Sequence, residues 1–349
     1  MRIFCLFFSL FLYLKANDNV SLIMAGDALL HSRVYKDAMF KDKNSSKISF
    51  DFTKILSPLQ KLISSYDLAF YNQESLLGGT ELGLSSYPNF NSPKEFGDAM
   101  LKLGFNLVSL ANNHSLDKGE KGVLSSLKYW NKQNFLLHAG TYLSNEDKNS
   151  LSFFNINGIK FGLLAYTYGL NGHSLTKPFL VSLIDKKQMK KDIQRLRKDV
   201  DVLLVSLHWG DEYVFKPSKE QKELAKFLAS LDVDVIIGTH SHVIAPIEFI
   251  DDTLVIYSLG NFLSAQNELE KRVGLLVGLI FEKDEKRARI SKLGFEFIYT
   301  YRDSKDRNFR VYPFRDLNES ILPNHKDIQK QYEKIVLDLN KSIQTSLPR

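Results

Sequence analysis

Short apolar runs recur along this chain, and five of its eight histidines stand just past the C-terminal end of one: His31, His114, His208, His240 and His242. Runs of this length, bounded by polar turns, read as strands, and here they alternate with helical patterns. Such alternation folds into an α/β domain. In open α/β sheets the loops beyond the strand ends converge on one crevice, so residues remote in sequence meet there. The histidines travel with oxygen donors and small residues. The segments are Gly26-Asp27-Ala28-Leu29-Leu30-His31, Asn72-Gln73-Glu74, Ala111-Asn112-Asn113-His114-Ser115-Leu116-Asp117, His208-Trp209-Gly210 and Gly238-Thr239-His240-Ser241-His242.

The intervening pattern predicts the elements. Ser21–Ala25 and Asp67–Tyr71 read as the first strands. Ser92 as N-cap, Pro93 at the first helical position and Glu95 completing a capping box predict a helix to Leu103, ended by Gly104. Phe105–Leu110 is a strand, Glu120–Gln133 a helix and Phe135–Leu137 a short strand. Asn157-Gly158 between two apolar runs is a hairpin signal. Helix Lys186–Arg197, strand Val202–Leu207, helix Lys219–Ser230 and strand Asp234–Ile237 follow. Ile247–Ile250 and Leu254–Leu259 form a hairpin around Asp251-Asp252-Thr253. Beyond residue 265, strands Gly274–Phe281 and Ile290–Tyr301 and a helix Lys326–Ser342 read as an appended subdomain or edge. The pattern implies two sheets in one domain, covered by helices. Residues 17–265 form its main unit, and 266–349 supply C-terminal strands and a helix packed on the same domain.

Arg2, the apolar stretch Ile3–Leu14 and Lys15-Ala16 read as a secretory signal over residues 1–16. The stretch is short of the roughly 20 residues that a membrane span needs. Retention as an uncleaved anchor is the alternative. Cys5, the only cysteine, lies inside this leader, so a mature chain carries no thiol and suits an oxidising compartment. The expected location is the periplasm or the outer face of the inner membrane.

Of 349 residues, 44% are hydrophobic and 25% charged, which excludes disordered, collagen-like and coiled-coil classes. The net charge of +6 falls to +4 when Arg2 and Lys15 leave with the leader. That mild excess weakly favours anionic ligands and does not imply nucleic acid. Neither a Gly-x-Ser-x-Gly elbow nor a Gly-x-x-x-x-Gly-Lys-[Ser/Thr] loop occurs.

A pair of divalent cations repel each other, so a site for two needs a bridging carboxylate, with neutral imidazoles in the outer positions. Each segment alone is weak evidence, since a strand-end histidine is commonly a hydrogen-bonded loop residue. Together, in this order, they read as a metal site, and mixed histidine, asparagine and carboxylate donors fit Mn, Fe or Zn.

The ordered set resembles the capsule synthesis protein CapA family, also called poly-γ-glutamate biosynthesis proteins, which look like divergent calcineurin-like metallophosphoesterases. The resemblance runs from Ala25 to about Phe262. It rests on Ala111-Asn112-Asn113-His114, His208-Trp209-Gly210, Gly238-Thr239-His240-Ser241-His242 and Tyr257-Ser258-Leu259-Gly260-Asn261-Phe262. It implies a four-layer α/β/β/α sandwich of the metallophosphoesterase type, with metal-ligand loops at one edge and two divalent metal ions. Asp27, His31 and His242 would hold the first ion, and Asn113, His208 and His240 the second. Glu74 would bridge, and His114 would be the acid that assists the leaving group. The chain has Asp-x-x-x-His where the phosphoesterases have Asp-x-His, and Asn-x-Glu where they have Gly-Asp-x-x-Asp, so either Asp27 or Glu74 is the bridge.

Such a protein is expected to be a metal-dependent hydrolase or transferase, with an anionic polymer or small anionic substrate in capsule or poly-γ-glutamate metabolism. The alternative is a non-catalytic, polymer-binding component that partners envelope export or assembly proteins. Asp117 either orients His114 or caps the next helix. Trp209 either lines the pocket or packs. Glu212 and Tyr213 are placed to contact substrate, and Asn261 either sits at the site rim or closes the turn after Leu259. His138, His173 and His325 fall in no matching motif. Asn44, Asn318 and Asn340 each begin an Asn-x-Ser triplet with an aspartate two residues earlier, the extended acceptor pattern of some bacterial oligosaccharyltransferases.

Overall fold

The computed structural model describes residues 19–42, 47–133, 137–150, 153–284 and 287–348. The leader and Asn44 lie outside them. In chain order the strands are β1 (Asn19–Leu29), β2 (Met39–Lys41), β3 (Ile48–Phe50), β4 (Leu68–Asn72), β5 (Leu107–Ser109), β6 (Leu137–Ala139), β7 (Phe153–Ile156) and β8 (Ile159–Thr167), then β9 (Val202–His208), β10 (Val235–Thr239), β11 (Ile247–Ile250), β12 (Thr253–Ile256), β13 (Asn261–Ser264), β14 (Val273–Lys283), β15 (Ala288–Tyr301) and β16 (Arg310–Pro313).

They build a mixed α/β fold on two large sheets. The first has the order β16-β15-β14-β1-β4-β5-β6, with β13 also pairing β1; the second runs β11-β12-β10-β9-β8-β7. β14 lies antiparallel beside β1 over Asn19–Met24, so the segment after residue 265 is built into the first sheet. In the second sheet β8, β9, β10 and β12 are parallel.

Alternation of side chains along a strand decides what each face meets. Val202 and Leu204 of β9 join the buried cluster that also holds Val20 and Leu22 of β1. Between the sheets, Phe161 of β8 meets Phe281 of β14 edge to face at 5.4 Å. Leu203, Val205 and Leu207 point the other way, against Met189, Ile193 and Leu196 of helix Lys186–Leu196 and Leu224, Ala225 and Leu228 of helix Lys219–Ala229. The spacing 189, 193, 196 is one helical stripe, and burying Ile193 fully contributes about 2 kcal/mol.

Local signals fared unevenly. Asn157 and Gly158 take φ of 48° and 79° between β7 and β8, the hairpin turn expected of that pair. Gly104, at φ 119°, ends helix Glu95–Leu103. The capping box at Ser92 does not form. Its amide donates to the Leu76 carbonyl, which holds it in the preceding loop, its Oγ has no partner, and Lys94 takes the N-cap position. A capping box does form at Ser218 and Gln221. The last helix, His325–Val336, stops six residues before the expected Ser342. Its successor runs parallel beside β15, where Gln344 bridges Gly294, and a Cβ at Gly294 would lie 1.9 Å from the Ser346 carbonyl oxygen. Among the described residues no helix is long and apolar enough to cross a membrane. Asn318 is exposed and Asn340 partly so; each accepts, through Oδ1, from the serine amide two residues on.

Candidate metal centre

The carboxyl ends of β1, β4, β5, β9 and β10 deliver the donors, so strands from both sheets contribute. β1 is irregular where it does so: its register shifts between Met24 and Asp27 against β4, and between Asp27 and Ala28 against β13. A bulge of this kind re-aims one side chain. Gly26 permits it, because a Cβ there would lie 1.9 Å from the Gly260 carbonyl oxygen, while the Asp27 amide donates to that oxygen. After β10 the chain turns sharply, and His240 and His242 take φ of 95° and 59°. Left-handed backbone at two non-glycine residues is a cost that recurs at functional sites.

Two groups of buried donors result: Glu74, His208 and His240, and Asp27, Glu74 and His242, with the donor atoms in each within 4.8 Å of one another. In the first, Glu74 Oε1 is 3.5 Å and His240 Nδ1 3.1 Å from His208 Nε2. Asn113 adds its Oδ1 at 2.9 Å from the same nitrogen. In the second, His242 Nδ1 is 3.6 Å from Asp27 Oδ2, and its Nε2 is 3.7 Å from Glu74 Oε1.

Outer partners hold these side chains. Thr239 Oγ1 lies 3.0 Å from His208 Nδ1, and Asn261 Oδ1 lies 3.0 Å from His242 Nδ1. Asn72 Nδ2 donates to Asp27 Oδ1 at 2.7 Å, and the His240 amide donates to Asp27 Oδ2 at 3.0 Å. Metal-binding histidines are normally oriented by a partner on the other ring nitrogen.

Glu74 decides whether the residues suit a cation. It is fully buried, shared by both groups, and neither carboxylate oxygen has a hydrogen-bond partner. An unpaired buried carboxylate is expensive, and burial raises its pKa to about 8. Burial strips protons from His208 and His240, lowering them to about 3 and about 2 and leaving neutral ligands. His242 goes the other way. Burial opposes its charge, but Glu74 and Asp27 beside it prevail and raise it to about 9. Two buried carboxylates, one without any hydrogen bond, call for positive charge that a divalent cation would supply, and the imidazoles and the Asn113 oxygen beside them are its usual ligands, so the donor set fits a metal.

His114 Nδ1 lies 2.7 Å from Asp117 Oδ2. The helix after it, Gly119–Trp130, has Lys118 at its N-cap and no side-chain cap, so Asp117 orients His114 and does not cap. Trp209 packs: it is buried in the second core, stacks on Tyr257 and donates from Nε1 to the Tyr257 carbonyl at 3.1 Å. Asn261 is not at the rim but buried behind His242, with Nδ2 donating to Gln266 Oε1 and the Lys271 carbonyl. Glu212 is exposed, and Tyr213 approaches the His242 ring at 6.0 Å. His31 stands outside both donor groups. Its Nδ1 faces the Leu29 carbonyl at 3.2 Å and its ring meets Phe90 edge-on, because the four-residue spacing carries it past the bulge to the start of helix Ser32–Asp37.

Sequence reasoning missed Tyr168 and Asn171. Tyr168 lies over the His240 ring at 4.5 Å, and Asn171 touches Asn113 and His114. Both follow β8, another parallel strand ending at this edge; that position was the available signal, but His173, the histidine in this loop, falls in no matching motif.

Residues 21–266 match the family model of the bacterial capsule synthesis protein PGA_cap. The chain belongs to this family. The PGA biosynthesis protein CapA of Bacillus subtilis (strain 168) is 30% identical over 195 residues, 55% of this chain and 51% of that protein. The capsule biosynthesis protein CapA of Bacillus anthracis is 31% identical over 195 residues, 54% of this chain and 47% of that one. The match thus spans about half the length of these PGA_cap relatives. In solved structures the chain is similar to the calcineurin-like phosphoesterase YfkN from Bacillus subtilis, at 14% identity and TM-score 0.46, over 80% of this chain and 90% of that chain. It is also similar to the 5'-nucleotidase from Candida albicans SC5314, at 13% identity and TM-score 0.45, over 82% and 52%.

Proposed function

We propose that this member of the PGA_cap family is an exported, metal-dependent hydrolase or transferase of the cell envelope, acting on an anionic polymer or ester in capsule or poly-γ-glutamate metabolism. The observation that carries the reading is Glu74, a fully buried carboxylate with both oxygens unpartnered between two sets of donors. In this reading Asp27 and His242 would hold one divalent cation, Asn113, His208 and His240 would hold a second, and Glu74 would serve both. A metal held there would supply Lewis-acid chemistry, polarising an ester, phosphoester or amide oxygen and making water more acidic.

The chain's own residues supply the rest. Asp117 takes the Nδ1 proton of His114 in a hydrogen bond, which leaves Nε2 as the nitrogen that exchanges a proton with the leaving group. Asp27 and Glu74 carry two negative charges against two dications, so the centre attracts an anion. Tyr168, Glu212 and Tyr213 stand where substrate would enter.

Purified full chain, assayed with and without Mn²⁺, Fe²⁺ or Zn²⁺ on a model phosphodiester and a γ-glutamyl peptide, tests this. Metal-restored turnover is expected. His114→Asn should retain metal while turnover falls about 10²–10⁴-fold, most for poor leaving groups. Tight polymer binding without turnover under any metal would instead make the protein a non-catalytic partner of envelope export or assembly proteins. Export itself rests on Arg2 and the apolar leader, and full-length protein confined to the cytosol would overturn it. Intact mass from the native host reports whether Asn44, Asn318 or Asn340 carries a glycan.

A further inference from the structure

The chain has two Asn-Gly pairs in left-handed backbone that differ in what their asparagine side chains touch. Asn157 and Gly158, at φ 48° and 79°, close the β7–β8 hairpin, and the Asn157 side chain donates to the Asn19 carbonyl. Asn171 and Gly172, at φ 49° and 81°, make the same kind of turn, with the His173 amide donating to the Leu170 carbonyl at 2.8 Å. This second turn joins no pair of adjacent strands. It lies in the loop after β8, and its side chain is turned onto the candidate metal centre.

Asn113 Nδ2 donates to Asn171 Oδ1 at 3.2 Å. An amide side chain presents oxygen to one side and nitrogen to the other, and its partners decide which. With Nδ2 engaged by Asn171, Asn113 turns Oδ1 toward His208 Nε2, at 2.9 Å, the face on which a cation would need an oxygen. The other end of the Asn171 amide, Nδ2, lies 3.3 Å from His114 Nδ1. That nitrogen donates to Asp117 Oδ2 at 2.7 Å, so Asp117 holds the ring and the Asn171 nitrogen only packs beside it. The loop is pinned at its start by the Tyr168 amide, which donates to the His208 carbonyl at 3.0 Å. Glycine would take the left-handed turn without strain; asparagine there costs strain and gains the hydrogen bond from Asn113.

We propose that Asn171 is a positioning residue of the metal centre: it sets the amide orientation of Asn113 for the cation that His208 and His240 would hold. This rests on the two-cation reading above. The experiment titrates metal-free full-length protein with Mn²⁺ calorimetrically. Asn171→Gly keeps the left-handed turn and removes the amide; Asn171→Asp keeps an acceptor for Asn113 Nδ2; Asn157→Gly is the control turn. The wild type should show two classes of site, and His240→Ala identifies the class that Asn113 serves by deleting it. Asn171→Gly should weaken that class alone by roughly 10-fold, with an unchanged melting temperature. Asn171→Asp should restore it, and Asn157→Gly should leave both classes alone. If Asn171→Gly binds both classes as the wild type does, or loses both together with a fall in melting temperature, Asn171 is a turn residue and the proposal is wrong. If the wild type binds no Mn²⁺, Fe²⁺ or Zn²⁺, the two-cation reading fails and takes the proposal with it. A wild type with two classes and an unaffected Asn171→Gly removes the proposal alone.

Discussion

The two donor groups around Glu74 are built differently. His208 and His240 stand at the ends of neighbouring parallel strands, paired residue for residue up to Thr239 opposite His208, and they meet at 3.1 Å. Burial keeps both neutral. Asp27 and His242 come from a bulge and a left-handed turn, lie 3.6 Å apart and carry opposite charges. Regular pairing places His208, whereas His240 opens the left-handed turn that also carries His242, and the bulge aims Asp27. The first group can accept a cation without releasing a proton from its imidazoles, and His242 must give one up. The imidazoles of the first group are thus neutral, and the charged pair lies where the bulge and the end of the left-handed turn meet.

Four substitutions test the contrast, in descending order of effect on metal binding. Glu74→Gln removes the carboxylate charge common to both groups, so affinity at both should fall by more than the roughly 100-fold that losing an outer partner costs; loss at one group only would show that Glu74 is not shared. His240→Ala should abolish the His208 site and leave the Asp27 site measurable by metal analysis, and simultaneous loss of both would mean that they are not separable. Asn261→Ala removes the partner of His242 Nδ1 and should weaken only the Asp27 site, by about 10–100-fold in titration calorimetry. His31→Ala should change metal affinity by well under about 10-fold. A larger loss would bring His31 onto the ion, where its motif position first put it.

Much of the frame was legible because it depends on local patterns. β9 and β10, the helices against them and the Asn157-Gly158 hairpin all follow from apolar periodicity and turn chemistry. The capping box at Ser92 was misread because a backbone bond to Leu76 holds that residue in the loop, and no local pattern reports a partner sixteen residues away. Trp209 and Asn261 were ambiguous for a similar reason: a residue next to a ligand faces either the crevice or the core, according to strand register. Asn171 left no mark in composition, since an Asn-Gly pair has the same local chemistry whether it closes a hairpin or supports a site.

The sequence by itself determined which residues end the strands and which chemistry they carry: carboxylate, amide and imidazole donors at the mouths of parallel strands. That follows from side-chain identity and from the two-residue period of a strand. Only the tertiary structure decided which donors share a centre. The bulge at Asp27 and the left-handed turn at His240 and His242 bring residues more than 200 positions apart within 4.8 Å, while four residues after Asp27 the chain has already carried His31 outside both groups. Distances of that kind depend on how two sheets pack and where one strand slips, and those are long-range terms that no window of sequence contains.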